Sequence, residues 1–315
     1  MTGNADGARP AAAPLTGAGD FLQPNPANLR GIGLMILAMA AFAVTDAIVK
    51  ALGSMLPPGQ MLMMIGAGSA SVFAAWARLR GERLFDRLLL GRWLIARNTG
   101  ELVGSTGFLL ALVLAPLSTV SAILQATPLV VALGAALVLG ERVGPYRWAA
   151  IFVGLFGVLL VIAPWDAEFA PSSLFALLAV AGLATRDLAT RRVRGTLPVA
   201  VLAAWGVVMV VPSGAVLLAL GPTGPVAPSP AAWGLLAAGI STGCLAYWAI
   251  IGAMQAGDVG VVTPFRYTRI VFALILAMIF FGERPDATVF LGAAIIVASG
   301  LFTLWREQRR RRAPG

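Results

Sequence analysis

Ten apolar stretches divide the chain, and they constrain its fold more than any other feature of the sequence. A helix needs about 20 mainly apolar residues to cross the hydrocarbon core of a bilayer. Runs such as 129–139 do not alternate apolar and polar residues as barrel strands do, so the spans are predicted to be helices. The sequence therefore predicts an all-α integral membrane protein with ten transmembrane helices, near 31–52, 58–77, 93–114, 117–139, 148–163, 172–190, 197–220, 231–254, 259–281 and 287–305.

The second half of the chain repeats the first. The recurring positions, 141 or 142 apart, are Thr45-Asp46 with Arg186-Asp187, Lys50 with Arg191, Leu56-Pro57 with Leu197-Pro198, and Gly140-Glu141-Arg142 with Gly282-Glu283-Arg284. Each copy holds five apolar stretches, and an odd number of crossings makes the second copy enter the membrane upside down. Inverted repeats of this kind are typical of secondary transporters, with a site near mid-membrane where the halves meet. We predict inverted five-helix repeats at 30–165 and 170–307, a disordered cytoplasmic tail at 1–29 and a basic cytoplasmic tail at 308–315.

Positive charges fall almost wholly on one side of this topology. The formal net charge is +9, although only 12% of the residues are charged and 59% are hydrophobic. By the positive-inside rule both termini are cytoplasmic and the protein lies in the inner (plasma) membrane as a multi-pass protein, in contact with the lipid bilayer. This distribution argues against a nucleic-acid partner. The basic residues lie mainly in the connections 78–92 and 191–194 and in the tail 306–312.

The chain has one cysteine, Cys244, and no histidine. A disulfide within the chain is therefore impossible, and the usual metal ligand and proton relay are missing. We predict no metal site and no cofactor.

The ordered motifs in both halves resemble those of the drug/metabolite transporter superfamily, EamA-type branch. The resemblance covers nearly the whole chain apart from the two tails. It implies movement of a small organic metabolite by alternating access, in either direction, and leaves the substrate open. The residues that carry it are Ala115-Pro116-Leu117, Gln125-Ala126-Thr127-Pro128, Leu139-Gly140-Glu141-Arg142, Gly154, Gly157-Val158-Leu159, Pro264-Phe265-Arg266-Tyr267, Phe281-Gly282-Glu283-Arg284-Pro285 and Gly300-Leu301.

Charged residues inside the predicted spans are functional candidates, because a charge at the centre of a span costs roughly 2.5–3.5 kcal/mol on insertion scales. Asp46 with Lys50, and Arg97 with Glu101, are four residues apart on one helix face, where each couple can pair. The alternative for Lys50 and Arg186 is that their long side chains reach water at the span ends. Asp46 and Asp187 are short and occupy equivalent positions of the repeats, so we assign them, with Lys50, to coupling or gating.

Arg266 and Arg269 give the sharpest prediction of a binding site. They lie three residues apart in the ninth stretch and form one polar face with Thr263 and Tyr267, after an expected helix break at Pro264. A guanidinium group suits recognition of carboxylate or phosphate, and Tyr267 can stack on a planar ligand. The alternative is that the arginines pair with Glu101, Asp46 or Asp187 across the bundle.

Gln125 and Thr127, beside Pro128 in the first repeat, align with Tyr267 and Arg269 of the second repeat at the offset of 142. We predict a cavity between spans 1, 3, 4, 6, 8 and 9, with Arg97 and Glu101 also at the substrate. If the charged side chains that can reach water at the span ends are set aside, the positive and negative charges left inside the spans nearly balance. A zwitterion or organic anion, such as an amino acid or a nucleoside-like or vitamin compound, is favoured over a neutral compound.

Alternating access needs a source of free energy, and a proton is the default. Without histidine, protonation would fall to Asp46, Glu101 or Asp187. The competing interpretation is a polytopic membrane enzyme acting on a lipid-linked substrate, but the sequence lacks a convergent set of nucleophile, base or metal ligands. A non-transporting sensor would need a soluble module. Ten spans are enough to enclose a cavity in one chain, so we expect a functional monomer.

Overall fold

Thirteen α-helices account for most of the described residues. The computed structural model describes residues 26–138, 140, 144–166, 171–193, 197–257 and 259–312. The helices are α1 (Pro26–Leu52), α2 (Pro58–Leu79), α3 (Arg92–Leu114), α4 (Leu117–Leu124), α5 (Thr127–Val138), α6 (Pro145–Ile162), α7 (Leu174–Arg192), α8 (Val199–Val208), α9 (Val210–Leu220), α10 (Pro230–Ala256), α11 (Val259–Val262), α12 (Thr268–Phe281) and α13 (Ala287–Arg312).

The connections are short and carry the residues that begin helices. Proline occupies the first helical position of α2, α6 and α10, where its missing N–H is not needed by the helix. The Ser229 hydroxyl accepts a hydrogen bond of 3.2 Å from the Ala232 N–H and so caps α10. The predicted all-helical fold is confirmed, and the helices match the apolar stretches closely.

Three of the apolar stretches are broken within their length. The fourth breaks between α4 and α5 at Gln125-Ala126, just before Pro128. The ninth breaks where a 3₁₀ segment, Thr263–Tyr267, separates α11 from α12 and contains Pro264. Proline lacks a backbone donor and clashes with the preceding turn, which explains the two breaks at equivalent positions. The seventh breaks at Met209, between α8 and α9.

Helix packing follows the same plan in both halves. The most extensive contacts join α3 to α7 and α1 to α10, which are equivalent pairs under the offset of about 141. The pairs α1 with α12 and α7 with α5 match in the same way. The helices α6 and α13 pack on each other, and α2 packs on α8 and α9. Helices from the two halves are therefore interleaved, so groups far apart in sequence come together.

Glycines let the backbones of α3 and α7 approach closely. A Cβ atom on Gly107 would lie 2.9 Å from both the Ala179 nitrogen and the Phe175 oxygen. A Cβ atom on Gly100 would lie 2.6 Å from the Arg186 nitrogen. Small residues at such positions are the usual means of close helix association in lipid.

Nine segments of the described chain are long and apolar enough to cross a membrane. The third helix is not among them, because α3 carries Arg92, Arg97 and Glu101 in its first half. Ten spans therefore remain a prediction. Residues 1–25 of the expected N-terminal tail lie outside the described residues, and α1 begins at Pro26. The helix α13 continues to Arg312, into the segment expected to be a tail.

Candidate functional site

A buried ion pair joins the two halves of the chain. Arg269, the second residue of α12, donates from Nη2 to both carboxylate oxygens of Asp46 in α1, at 2.9 and 2.7 Å. Its Nε donates to Asp46 Oδ2 at 3.1 Å. Asp46 is 2% exposed. Of the two predictions for Arg269, pairing across the bundle is therefore the one observed in this structure.

The Nη1 group of the Arg269 guanidinium remains free. Its side chain is 22% exposed, and within the described chain its Nη1 makes no hydrogen bond. Two phenylalanine rings flank it, Phe42 with its centroid at 5.2 Å and Phe108 at 5.7 Å. Cation–π attraction and the bidentate Asp46 contact fix the guanidinium. It therefore presents free Nη1 donors close to two aromatic rings.

A second polar cluster lies at the α3–α7 interface. The Glu101 carboxylate oxygen Oε1 accepts a hydrogen bond from Ser105 at 3.2 Å and one from Arg186 Nη1 at 3.4 Å. Arg186 also pairs with its neighbour Asp187 at 2.8 Å. Tyr247 of α10 lies within electrostatic reach of this cluster. The Asp187 side chain is 30% exposed and Glu101 12%, so this cluster is more open than the Asp46 pair.

The two clusters stand on equivalent helix pairs. At the α1–α10 interface the hydroxyls of Thr45 and Thr242 lie 2.9 Å apart. At the offset of 141, Thr45 aligns with Arg186 and Thr242 aligns with Glu101, both at the α3–α7 interface. One interface thus holds a neutral hydroxyl pair where its counterpart holds an ion pair.

Two pairings that are possible within single helices are not observed as ion pairs among the described residues. Arg97 is 5% exposed and donates to Asn98 Oδ1 at 3.0 Å, while Glu101 pairs with Arg186. Asp46 pairs with Arg269 rather than with Lys50. The reason is that Arg186 and Arg269, on adjacent helices, lie within direct contact of Glu101 and Asp46.

Lys50 belongs to a polar clasp at the face of the bundle where α1 ends. Glu283, just after α12, accepts from the backbone N–H groups of Leu117 and Ser118 at 2.6 and 3.0 Å and from the Ser118 hydroxyl at 2.7 Å. The Lys50 Nζ lies 3.8 Å from Glu283 and donates to the Ala115 carbonyl at 2.7 Å. We call Lys50, Glu283 and the N-terminus of α4 the clasp. The carboxylate caps a helix from the other half of the chain.

The remaining residues predicted from the ninth stretch point in different directions. Arg266 is exposed and makes no ion pair with any described residue. Tyr267 is 6% exposed, with its ring against Gly300 of α13, and its hydroxyl lacks a hydrogen-bond partner. The Thr263 hydroxyl is also buried without a partner. The polar face predicted from spacing is therefore divided, because the 3₁₀ segment turns by about 120° per residue instead of 100°.

Gln125 and Thr127 flank the break in the fourth stretch. Gln125 is 8% exposed, and its amide makes no hydrogen bond with any described group. The Thr127 hydroxyl donates to the Leu124 carbonyl at 2.7 Å, which satisfies an acceptor at the end of α4. Gln125 therefore keeps its hydrogen-bonding capacity, whereas Thr127 serves the helix break.

Several contributors were not identified from the sequence. Phe42 and Phe108 resemble ordinary core residues in an apolar stretch, so no signal singled them out. The pair Thr45 and Thr242 could have been found from the repeat offset, since both positions align with charged residues. The described residues contain no group of three or more His, Cys, Asp or Glu side chains that could hold a metal ion.

Comparison with known proteins identifies the repeat unit. The sequence profile of the EamA-like transporter family matches residues 29–163 and again residues 170–305. A solved crystal structure superimposes with a TM-score of 0.56 at 23% identity, covering 92% of this chain and 100% of that chain, which indicates a shared fold.

Three curated relatives carry names of transporters. A riboflavin transporter of Rhizobium johnstonii is 30% identical over 67% of this chain and 70% of its own length. A riboflavin transporter of Vibrio cholerae is 28% identical over 90% and 96%. An S-adenosylmethionine uptake transporter of Rickettsia conorii is 26% identical over 89% and 94%.

Proposed function

This chain belongs to the EamA-like transporter family and is a multi-pass inner-membrane transporter of a small organic metabolite, not an enzyme, and from that premise we propose that it takes up a planar heteroaromatic compound of the flavin type. The observation that carries the proposal is the Arg269 guanidinium, which presents free donors close to the rings of Phe42 and Phe108. An aromatic ring system with carbonyl acceptors on its edge fits such a position.

The charge balance at Arg269 favours a neutral ring system over a cation. Asp46 is engaged by three contacts with Arg269 and offers little to a second cation. Riboflavin carries ring carbonyls and a chain of hydroxyls, whereas S-adenosylmethionine carries a sulfonium charge and an amino-acid group. The unpaired amide of Gln125 is a second group suited to a pyrimidine-like edge. A neutral planar substrate departs from the zwitterion or anion favoured by sequence alone.

Riboflavin binding should depend on the Arg269 guanidinium. We expect riboflavin to raise the apparent melting temperature of the detergent-purified protein and Arg269→Gln to weaken binding about tenfold or more, since hydrogen bonds from charged donors contribute about 1.5–3 kcal/mol. Because Arg269→Gln also leaves Asp46 buried without a partner, the double variant Asp46→Asn/Arg269→Gln is measured beside it. Arg83→Gln, on an exposed connection, is the matched control.

Three outcomes decide the proposal. Loss of the riboflavin effect in both Arg269 variants, with Arg83→Gln unchanged, supports it. Stabilisation by S-adenosylmethionine but not by riboflavin overturns the flavin assignment. Stabilisation by riboflavin that survives both Arg269 variants keeps the substrate class and moves the site elsewhere.

The orientation and mechanism also belong to this proposal. The arginine-rich connection 78–92 and the end of α13 lie on the face where α1 begins, which supports a cytoplasmic N-terminal face under the positive-inside rule. The opposite face, which carries the clasp, would then be the outer one. The inverted repeats at 30–165 and 170–307, with broken helices at equivalent positions, support alternating access around a central site.

Proton coupling would use Asp187 or Glu101 rather than Asp46. Asp46 is held by Arg269, whereas Asp187 is partly exposed and shares Arg186 with Glu101. We expect Asp187→Asn to abolish accumulation of riboflavin against its gradient in proteoliposomes while leaving exchange of riboflavin across the membrane intact. Full accumulation by both Asp187→Asn and Glu101→Gln would exclude coupling through these carboxylates.

One chain is proposed to be the working unit. The Asp46–Arg269 pair joins the two halves of one chain, and ten predicted spans are enough to enclose a cavity. Light scattering on the protein reconstituted in nanodiscs should give the mass of one chain, with riboflavin binding retained. Thr127, Thr263, Arg266, Tyr267 and Arg97 stay predicted substrate contacts.

A further inference from the structure

A cleft away from the central site opens at the face of the bundle where α1 begins. It has a volume of about 600 Å³ and lies between α1, α2, α8 and α10. Its polar and aromatic lining is unlike that of an ordinary gap between apolar helices. The groups that matter are Arg30, Trp76, Arg80, Glu82, Trp248 and Gln255.

The cleft carries more positive than negative charge. Two arginines and one glutamate line it, which leaves a net charge of +1. The Arg80 guanidinium lies over the Trp76 ring, 5.4 Å from its centroid. Among the described residues neither Arg30 nor Arg80 forms an ion pair with Glu82 or any other carboxylate. Both guanidinium groups are therefore available to an anion.

One wall of the cleft belongs to the membrane-facing perimeter. Only 22% of the most apolar part of α10 is buried inside the bundle. Its exposed residues Ala237, Ser241, Leu245 and Trp248 recur every three or four positions and so form one stripe along the helix. This stripe ends at the cleft, where the Trp248 side chain is 57% exposed. An acyl chain lying along the stripe would bring its head group to the cleft.

We propose that this cleft binds the phosphodiester head group of an anionic phospholipid. Arg30 and Arg80 would hold the phosphate oxygens, and Trp76 and Trp248 would lie at the level of the lipid head groups, where indole rings are favoured. Basic pockets between helices at a membrane surface suit anionic lipid head groups. None of the lining residues belongs to the Asp46–Arg269 pair or to the Glu101 cluster, so the bound lipid is a structural ligand and not the cargo.

The test is lipid retention by the purified full-length protein. Protein in detergent is mixed with dioleoylphosphatidylglycerol or with dioleoylphosphatidylcholine, and bound lipid is counted by native mass spectrometry. We expect retained phosphatidylglycerol in the wild type, and about fivefold weaker retention for each of Arg30→Gln and Arg80→Gln. Arg78→Gln, at the same end of α2 but outside the cleft, is the matched control and should behave as the wild type.

Arg30→Lys and Arg80→Lys keep the charge and should restore most of the retention, which separates loss of the site from loss of folding. Equal retention by all the arginine variants would overturn the proposal. If inorganic phosphate alone stabilised the wild type as much as phosphatidylglycerol does, the proposal would be overturned in favour of a site for a free anion. If phosphatidylcholine were retained as well as phosphatidylglycerol, the negative charge of the lipid would be irrelevant and the proposal would be overturned. None of these measurements uses a transported compound, so failure of the flavin proposal would leave the result unaffected.

Discussion

Asp46 illustrates how the bundle decides the chemistry of a single residue. Its spacing from Lys50 predicted a partner on the same helix, yet its partner is Arg269, 223 positions away. Both groups are isolated charges in apolar stretches, so sequence could mark them as candidates. Choosing between partners required knowing which helices are neighbours, and helix neighbours are a property of the packed bundle.

Breaking the Asp46–Arg269 pair should destabilise the protein in an asymmetric way. Arg269→Gln leaves a carboxylate that is 2% exposed without its partner, for which a cost of about 3–5 kcal/mol is expected. Asp46→Asn should cost less, because the Arg269 side chain is 22% exposed and can turn to water or a ligand. Apparent melting temperatures in detergent should therefore rank wild type, then Asp46→Asn, then Arg269→Gln.

The double variant gives the control for that ranking. Asp46→Asn/Arg269→Gln removes both charges and should be more stable than Arg269→Gln alone, since contacting residues couple by about 0.5–3 kcal/mol. A double variant less stable than either single variant would contradict a direct interaction between the two side chains.

Among the helices, the α3–α7 interface shows why small residues matter as much as charges. Its backbones approach at Gly100, Gly107 and Gly182, and the Glu101–Arg186 pair lies at the same level. The sequence shows these glycines but does not indicate which helices they join. The breaks near Pro128 and Pro264 were predictable because proline acts locally on its own helix.

Gly182→Ala should force α3 and α7 apart. A Cβ atom at Gly182 would meet the backbone of Gly104, and overpacking of this kind costs about 1–3 kcal/mol. We expect a lower melting temperature and, because the Glu101–Arg186 contact is stretched, weaker riboflavin binding. Gly234→Ala in α10 is the matched control, because nothing lies within 4 Å of its added methyl group. It should be neutral or gain about 0.5–1 kcal/mol. Equal effects of the two substitutions would refute the close-packing argument.

At the scale of the whole molecule, the clasp connects the second half of the chain to the first. Glu283 caps α4 across the boundary between the halves. Its repeat counterpart Glu141 lies outside the described residues. In the proposed orientation the clasp closes the outer side of the bundle, so its strength should set how often the central site opens outward.

Glu283→Ala should expose α4 to the outer solution. Ser121 lies one turn inside α4 and is 3% exposed, so a Ser121→Cys reporter in a Cys244→Ser background reports opening. Loss of the charged hydrogen bonds, at about 1.5–3 kcal/mol each, should raise the rate of labelling by an impermeant maleimide about tenfold or more. Glu82→Ala, at the opposite face, is the control and should leave labelling slow. Labelling that is unchanged in Glu283→Ala would remove the clasp from any gating role.

The sequence by itself determined the membrane setting, the helices, the breaks at Pro128 and Pro264, the duplication and the small set of charges available for function. Each of these follows from local chemistry, namely the length of apolar runs, the missing donor of proline and the cost of a charge in lipid. Only the tertiary structure decided that Arg269 pairs with Asp46 close to Phe42 and Phe108, that Glu283 closes the clasp, and that Tyr267 packs on α13. The physical reason is that a side chain buried away from water takes the partner nearest in space, and interleaving of two halves makes that partner a distant residue of the chain.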